Sequence, residues 1–130
     1  MSIRAVNKTR PVNLDLRTIK QPLPAISSIL HRITGIILFI GVAFMLYAFD
    51  LSLDSQQGFD AVADMLSNSF FAKLVAWGLV SALLYHLFAG IKHLIMDCGY
   101  CEELESGALI AKATLVAGVV STLLAGIWIW

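Results

Sequence analysis

Residues 74–96 read LVAWGLVSALLYHLFAGIKHLIM, an apolar run in which Ser81, Tyr85, His86, Lys92 and His93 are the main polar interruptions. The run is long enough to cross a hydrocarbon core of about 30 Å, which takes roughly 20 residues of helix. Two further runs share its character. Residues 26–49 have no charge apart from Arg32, and residues 108–130 have only Lys112, near their start, with Trp128 and Trp130 at their end. Tryptophan at the end of a span is typical of the membrane–water interface. Three such runs predict an all-α integral membrane fold with three transmembrane helices.

Composition points the same way. Of 130 residues, 58% are apolar and 14% charged, too few polar groups to coat a soluble domain of this size. The formal net charge is zero, which gives no argument for nucleic acid or for an acidic partner. Two cysteines, Cys98 and Cys101, are too few for a disulfide framework, and the three histidines are scattered along the chain. The first residues contain no apolar run suited to a signal peptide. Their basic character fits poorly with a mitochondrial transit peptide, because Asp15 and prolines intervene. The chain is expected to be mature as it stands, and bacterial.

The placement of charge orients the spans. Residues 1–25 form a polar arm with Arg4, Lys8, Arg10, Arg17 and Lys20, whereas residues 50–73 contain Asp50, Asp54, Asp60 and Asp64. Basic flanks stay on the cytoplasmic side. The arm is therefore expected in the cytoplasm, residues 50–73 outside, the loop at 97–107 inside, and the C-terminus in the periplasm. That loop is itself acidic (Glu102, Glu103, Glu105), so orientation rests on the first span. Phe59, Val62, Ala63, Leu66 and Phe70 share one helical face, which suits a short helix lying on the membrane surface. In the third span Thr114, Gly118, Thr122, Ala125 and Gly126 fall along one side. Small residues there let helices approach closely, although they are also simply common in membrane helices.

His86 carries most of the functional signal. It stands ten residues before the end of its span, about 15 Å deep at 1.5 Å per residue, where ionisable groups are costly and usually functional. At about 100° per residue, Gly78, Ala82, Gly90, His93 and Asp97 all fall within about 80° of it. A flat macrocycle stacked beside a helix needs an imidazole to reach iron and a missing side chain to make room. It also needs polar groups nearer the surface for its propionates. The stripe offers all three, but an imidazole that only hydrogen-bonds to a neighbouring helix would account for His86 as well. A b-type haem takes a second axial ligand. His93 lies on the same helix about 10 Å away, and His31 lies roughly 7 Å shallower by the same count. Neither suits, so another polypeptide is expected to supply that ligand.

At the start of the first span, Ser28, Arg32 and Gly35 share a face. A guanidinium beside a hydroxyl can bind a carbonyl oxygen or a carboxylate. That suits a quinone headgroup and a haem propionate equally, and an arginine snorkelling to lipid phosphate is the third reading. Lys92 points about 120° away from the His86 stripe, and Lys112 opens the third span; both read as interfacial anchors. Cys98-Gly99-Tyr100-Cys101 lacks the βαβ context of a redox dithiol.

Taken together, these residues resemble the cytochrome b membrane-anchor subunit of bacterial succinate dehydrogenase (succinate:ubiquinone oxidoreductase). The resemblance covers the arm Arg10-Pro11-Val12-Asn13-Leu14-Asp15-Leu16 and the Ser28-x-x-His31-Arg32-x-x-Gly35 motif. It also covers His86-x-x-x-Gly90-x-x-His93-x-x-x-Asp97 followed by Gly99-Tyr100. It implies a four-subunit complex in the bacterial inner membrane, part of respiratory electron transport and the tricarboxylic acid cycle. A flavoprotein oxidises succinate, an iron–sulfur subunit passes the electrons on, and two small membrane anchors bind haem b and ubiquinone in a shared helical bundle. By that resemblance His86 is an axial ligand to the haem iron, the second anchor subunit supplying the other. Ser28 and Arg32 line the ubiquinone site. His31 and Arg32 lie near the haem propionates, joined more weakly by His93, and Asp97 is a weaker candidate for proton delivery. The chain is expected to contribute to quinone reduction without a catalytic residue of its own, and the resemblance implies no role for the cysteine pair. The alternatives are the anchor of a fumarate reductase and a haem-free structural membrane subunit.

Overall fold

The computed structural model of the chain describes Asp15 and residues 17–130. Arg4, Lys8, Arg10 and most of the Arg10–Leu16 motif lie outside the described residues. Four helices account for nearly all of the remainder: α1 (Leu23–Asp54), α2 (Gln56–Asn68), α3 (Phe70–Asp97) and α4 (Leu104–Ile129). Of these, α1, α3 and α4 are long and apolar enough to cross a membrane.

The helix ends follow from local chemistry. Pro22 precedes α1 and Pro24 sits in its first turn, where a missing N–H costs nothing because that donor has no intrahelical partner. The helix then runs 32 residues to Asp54, about 48 Å at 1.5 Å per residue. It therefore tilts or extends past the hydrocarbon, taking in polar residues beyond the apolar run. Single serines join the next elements. Ser55 ends α1 and caps α2, its hydroxyl accepting from the Gly58 amide at 3.0 Å. Ser69 ends α2 and caps α3, accepting from the Ala72 amide at 3.3 Å. The segment between the first two spans is thus almost wholly helical, because each serine satisfies an orphan donor as the chain turns. α3 closes with Gly99 at φ 83°, the left-handed conformation in which a side chain is unfavourable. The Tyr100 amide there returns to the Ile95 carbonyl at 3.2 Å.

The long helices alternate in direction. From the start of α1 onward, Ser27 meets Lys92, His31 and Gly35 meet His86, and Gly41 meets Leu79, in descending order on α3. Between α3 and α4, Tyr85 meets Gly118, and Trp77 meets Thr122 and Gly126. One end of the bundle is therefore built from the start of α1, the end of α3 and the start of α4.

The seam between α3 and α4 places large side chains in notches of small ones. Gly107, Ala111, Thr114, Gly118 and Ala125 are the buried residues of α4. A Cβ on Gly118 would come within 2.5 Å of the Tyr85 ring, so glycine there admits the tyrosine. Trp77 donates its indole N–H to the Thr122 carbonyl at 2.9 Å and stands edge-on to Trp130, ring centroids 6.0 Å apart. The outward faces of the long helices are largely apolar. Only Ser27 and Gly41 are buried on α1, while Phe39 is 83% exposed and Trp128 81%. Water would not tolerate a continuous surface of this kind; a bilayer or partner helices would.

Candidate functional site

The three histidines converge. The His31 ring stacks on the His86 ring with centroids 4.1 Å apart and planes inclined by 30°, and it lies 5.2 Å from the His93 ring. Depth counted from the edges of the apolar runs separates His31 from His86 by roughly 7 Å; the contact corrects that expectation. α1 begins at Leu23 and α3 ends at Asp97, and measured from those ends the separation falls to about 4–5 Å. The ring of His31 spans the remainder.

His86 is held from α1. Its Nδ1 lies 3.1 Å from the His31 carbonyl oxygen and 3.2 Å from the Thr34 hydroxyl. A carbonyl only accepts, so Nδ1 is the donor and Nε2 bears the lone pair. The Thr34 hydroxyl donates back to its own helix, to the Leu30 and His31 carbonyls, both at 2.9 Å, which leaves its oxygen free to accept from the imidazole. Gly35 lies against the ring: a Cβ there would stand 3.1 Å from Cε1 and 3.7 Å from Nδ1. Among the described residues the hydrogen bonds of His86 are made at Nδ1. Fixing one ring nitrogen on a backbone carbonyl is how proteins orient an imidazole whose other nitrogen ligates a metal.

The glycine at 90 has a different neighbour from the one its spacing suggests. A Cβ there would approach His31 Nε2 at 3.8 Å, an ordinary contact. The room beside Gly90 is thus next to His31, while Gly35 is the glycine that fits closely against His86. Gly78, on the same predicted stripe, has nothing within 4 Å of a Cβ.

Toward the end of the bundle the polar groups open into a cleft of about 530 Å³, lined by Pro24, Ser28, Lys92, His93, Met96, Asp97 and Glu102. That volume is within the range of small-molecule sites. Ser28, His93 and Asp97 are thus brought together, with His93 joining the cleft to the imidazole cluster. Arg32 is exposed and is not part of the cleft wall; it lies one turn along α1 from Ser28.

The structure departs from the sequence expectation at Lys92 and adds Ser27 to the polar cluster. Lys92 is not an interfacial anchor. It is 3% exposed, and its Nζ donates to the Ser27 hydroxyl at 3.3 Å. Ser27 is fully buried and also receives Tyr85, whose hydroxyl lies 3.0 Å from the Ser27 carbonyl and 3.4 Å from its Oγ. Tyr85, Ala89 and Lys92 recur at helical spacing as the buried face of α3. That spacing is readable in the sequence, but nothing in it says that Ser27 lies opposite. Cys98 and Cys101 are free thiols.

Known proteins match this chain along nearly its whole length. The profile of the succinate dehydrogenase/fumarate reductase transmembrane subunit family matches residues 6–125. The succinate dehydrogenase cytochrome b556 subunit of Coxiella burnetii is 41% identical, over 96% of this chain and 100% of that one. The b556 subunit of Paracoccus denitrificans is 35% identical, over 88% of each chain. The succinate dehydrogenase cytochrome b560 subunit of Reclinomonas americana is 33% identical, over 95% of this chain and 88% of that one. With an all-helical bundle of three apolar helices and matches of this extent, the chain belongs to the succinate dehydrogenase/fumarate reductase transmembrane subunit family.

Proposed function

We propose that the chain is the membrane-anchor cytochrome b subunit of succinate dehydrogenase, holding haem b through His86 and forming part of the site where ubiquinone is reduced. The observation that carries this reading is the His86 imidazole, its Nδ1 tied to the His31 carbonyl and its Nε2 left as a lone-pair donor. Haem b, when bound, accepts and returns single electrons. His86 would hold its iron, with Arg32 and His31 the nearest candidates to meet the propionates and His93 a weaker one. The second axial ligand belongs to a partner. His31 stacks on the His86 ring at 4.1 Å and His93 stands on the same helix, so a partner subunit would supply any further side chain that holds the haem iron.

The cleft suits the quinone headgroup. Ser28 can donate a hydrogen bond to a quinone carbonyl. Arg32, one turn on, favours negative charge at the quinone oxygens as electrons arrive. Asp97 is exposed in the cleft wall, which supports a role in passing protons to them. Reduction to the quinol consumes two electrons and two protons; the electrons come from the iron–sulfur subunit, which the flavoprotein supplies from succinate. The basic arm puts the start of α1, and with it the cleft, on the cytoplasmic side of a bacterial inner membrane. The C-terminus is then periplasmic. A second small anchor subunit and lipid cover the exposed apolar faces. The family description also includes fumarate reductases, but the relatives named above are succinate dehydrogenase subunits, which favours succinate oxidation. In the assembled complex, Ser28→Ala and Arg32→Leu should each lower succinate-dependent ubiquinone reduction about tenfold or more, the effect of one charge-assisted hydrogen bond. Succinate oxidation with an artificial acceptor should persist. Normal quinone turnover in both variants would remove these residues from the site.

A further inference from the structure

Lys92 is a cation with almost no access to solvent, and Ser27 Oγ is its hydrogen-bond acceptor among the described residues. An ammonium carries three N–H donors, so two of them have no hydrogen-bond acceptor among the described residues. No carboxylate among the described residues closes an ion pair with it. A buried charge left in that state is strongly unfavourable unless something else accepts from it. Lys92 also forms part of the cleft wall, beside Ser28 and His93. Its head group is held from α1: Ser27 takes one N–H, and Tyr85 in turn bonds both the carbonyl and the hydroxyl of Ser27. The consecutive serines of α1 therefore differ in role. Ser27 faces inward and aims the lysine, while Ser28 faces the cleft.

We propose that Lys92 is a quinone-binding residue, its ammonium donating a hydrogen bond to a quinone carbonyl oxygen in the cleft, and that Ser27 is the residue that positions it. The proposal rests on the reading of the cleft as the quinone site. An oxygen acceptor completes the donor set of the ammonium, and the cation in turn attracts that oxygen most strongly as it gains negative charge during reduction.

The test uses the assembled complex in detergent or membranes and a short-tailed ubiquinone as the varied substrate. Rates are normalised to succinate oxidation with an artificial acceptor, so that only assembled enzyme is compared. Lys92→Met should raise KM for the quinone about 10- to 100-fold, the loss of one charged hydrogen bond. Lys92→Arg should restore KM to within about threefold of the parent, since it keeps the cation and its donors. Ser27→Ala should raise KM about threefold to tenfold with little change in kcat, as expected when a neutral bond that only positions the donor is lost. If Lys92→Met fails to assemble, Lys92→Gln, which keeps donors without charge, is expected to raise KM about tenfold. Unchanged KM in the Lys92 variants with a raised KM in Ser28→Ala overturns this proposal and leaves the quinone site in place. Unchanged KM in Ser28→Ala, Arg32→Leu and the Lys92 variants alike overturns the quinone site itself. A Lys92 variant that alters the haem spectrum while KM stays constant overturns the assignment to quinone in favour of a haem carboxylate.

Discussion

Replacing Gly35 with alanine places a methyl carbon 3.1 Å from Cε1 of His86. Carbon atoms sit comfortably at about 3.5–4.0 Å, so the ring must give way by roughly half an ångström or the helices must part. If neither relaxes, overpacking of this kind costs about 1–3 kcal/mol. The ring can tilt, but only by lengthening the 3.1 Å contact between Nδ1 and the His31 carbonyl, a bond worth about 1 kcal/mol. A tilted ring leaves the orientation that presents Nε2, and parted helices lengthen the same bond. Second-shell disturbances of metal-binding histidines typically cost 10- to 100-fold in affinity, and that is the loss of haem affinity expected for Gly35→Ala, with Gly35→Val worse. The assay is the ratio of haem to iron–sulfur centres in the purified complex, together with the reduced-minus-oxidised visible spectrum. Full haem content and an unshifted spectrum in both variants would refute the reasoning, because they would show that contact between Gly35 and His86 does not set the ligand.

Two further perturbations probe the packing that supports the site. Gly118→Val drives a side chain into the Tyr85 ring, where even a Cβ would stand only 2.5 Å away; it should destabilise the subunit by about 2–3 kcal/mol and lower its accumulation in membranes. Gly78→Ala, with nothing within 4 Å, should be neutral within this subunit, and both are read by immunoblot and thermal inactivation. Tyr85→Phe removes the buried hydroxyl that donates to the Ser27 carbonyl at 3.0 Å and should cost about 1–2 kcal/mol, visible as faster thermal loss of quinone reductase activity.

The fold was legible because the bilayer imposes a simple rule: the three spans are apolar runs of sufficient length, and α1, α3 and α4 contain them. The small residues of α4 are compatible with a contact face in the sequence but do not establish one. What they receive, the Tyr85 and Trp77 side chains, was not legible, since a helical wheel gives a face and not its neighbour. Lys92 shows the limit most clearly. Its angle from His86 placed it on a second face of α3, and a lysine near the end of a span reads as an anchor. Only the packing of α1 against that face, with Ser27 opposite, reveals that it is buried. The meeting of His31 and His86 is hidden for another reason: the hydrophobic edges of the runs do not coincide with the helix ends, which lie at Leu23 and Asp97.

Three neighbouring imidazoles, His31, His86 and His93, could each hold the haem iron. The reduced-minus-oxidised spectrum of the purified complex decides among them, recorded for His86→Leu and His31→Leu at equal iron–sulfur content. Loss or strong perturbation of the b-type bands in His86→Leu, with bands retained in His31→Leu, is the predicted result. Parent-like bands in His86→Leu would contradict it.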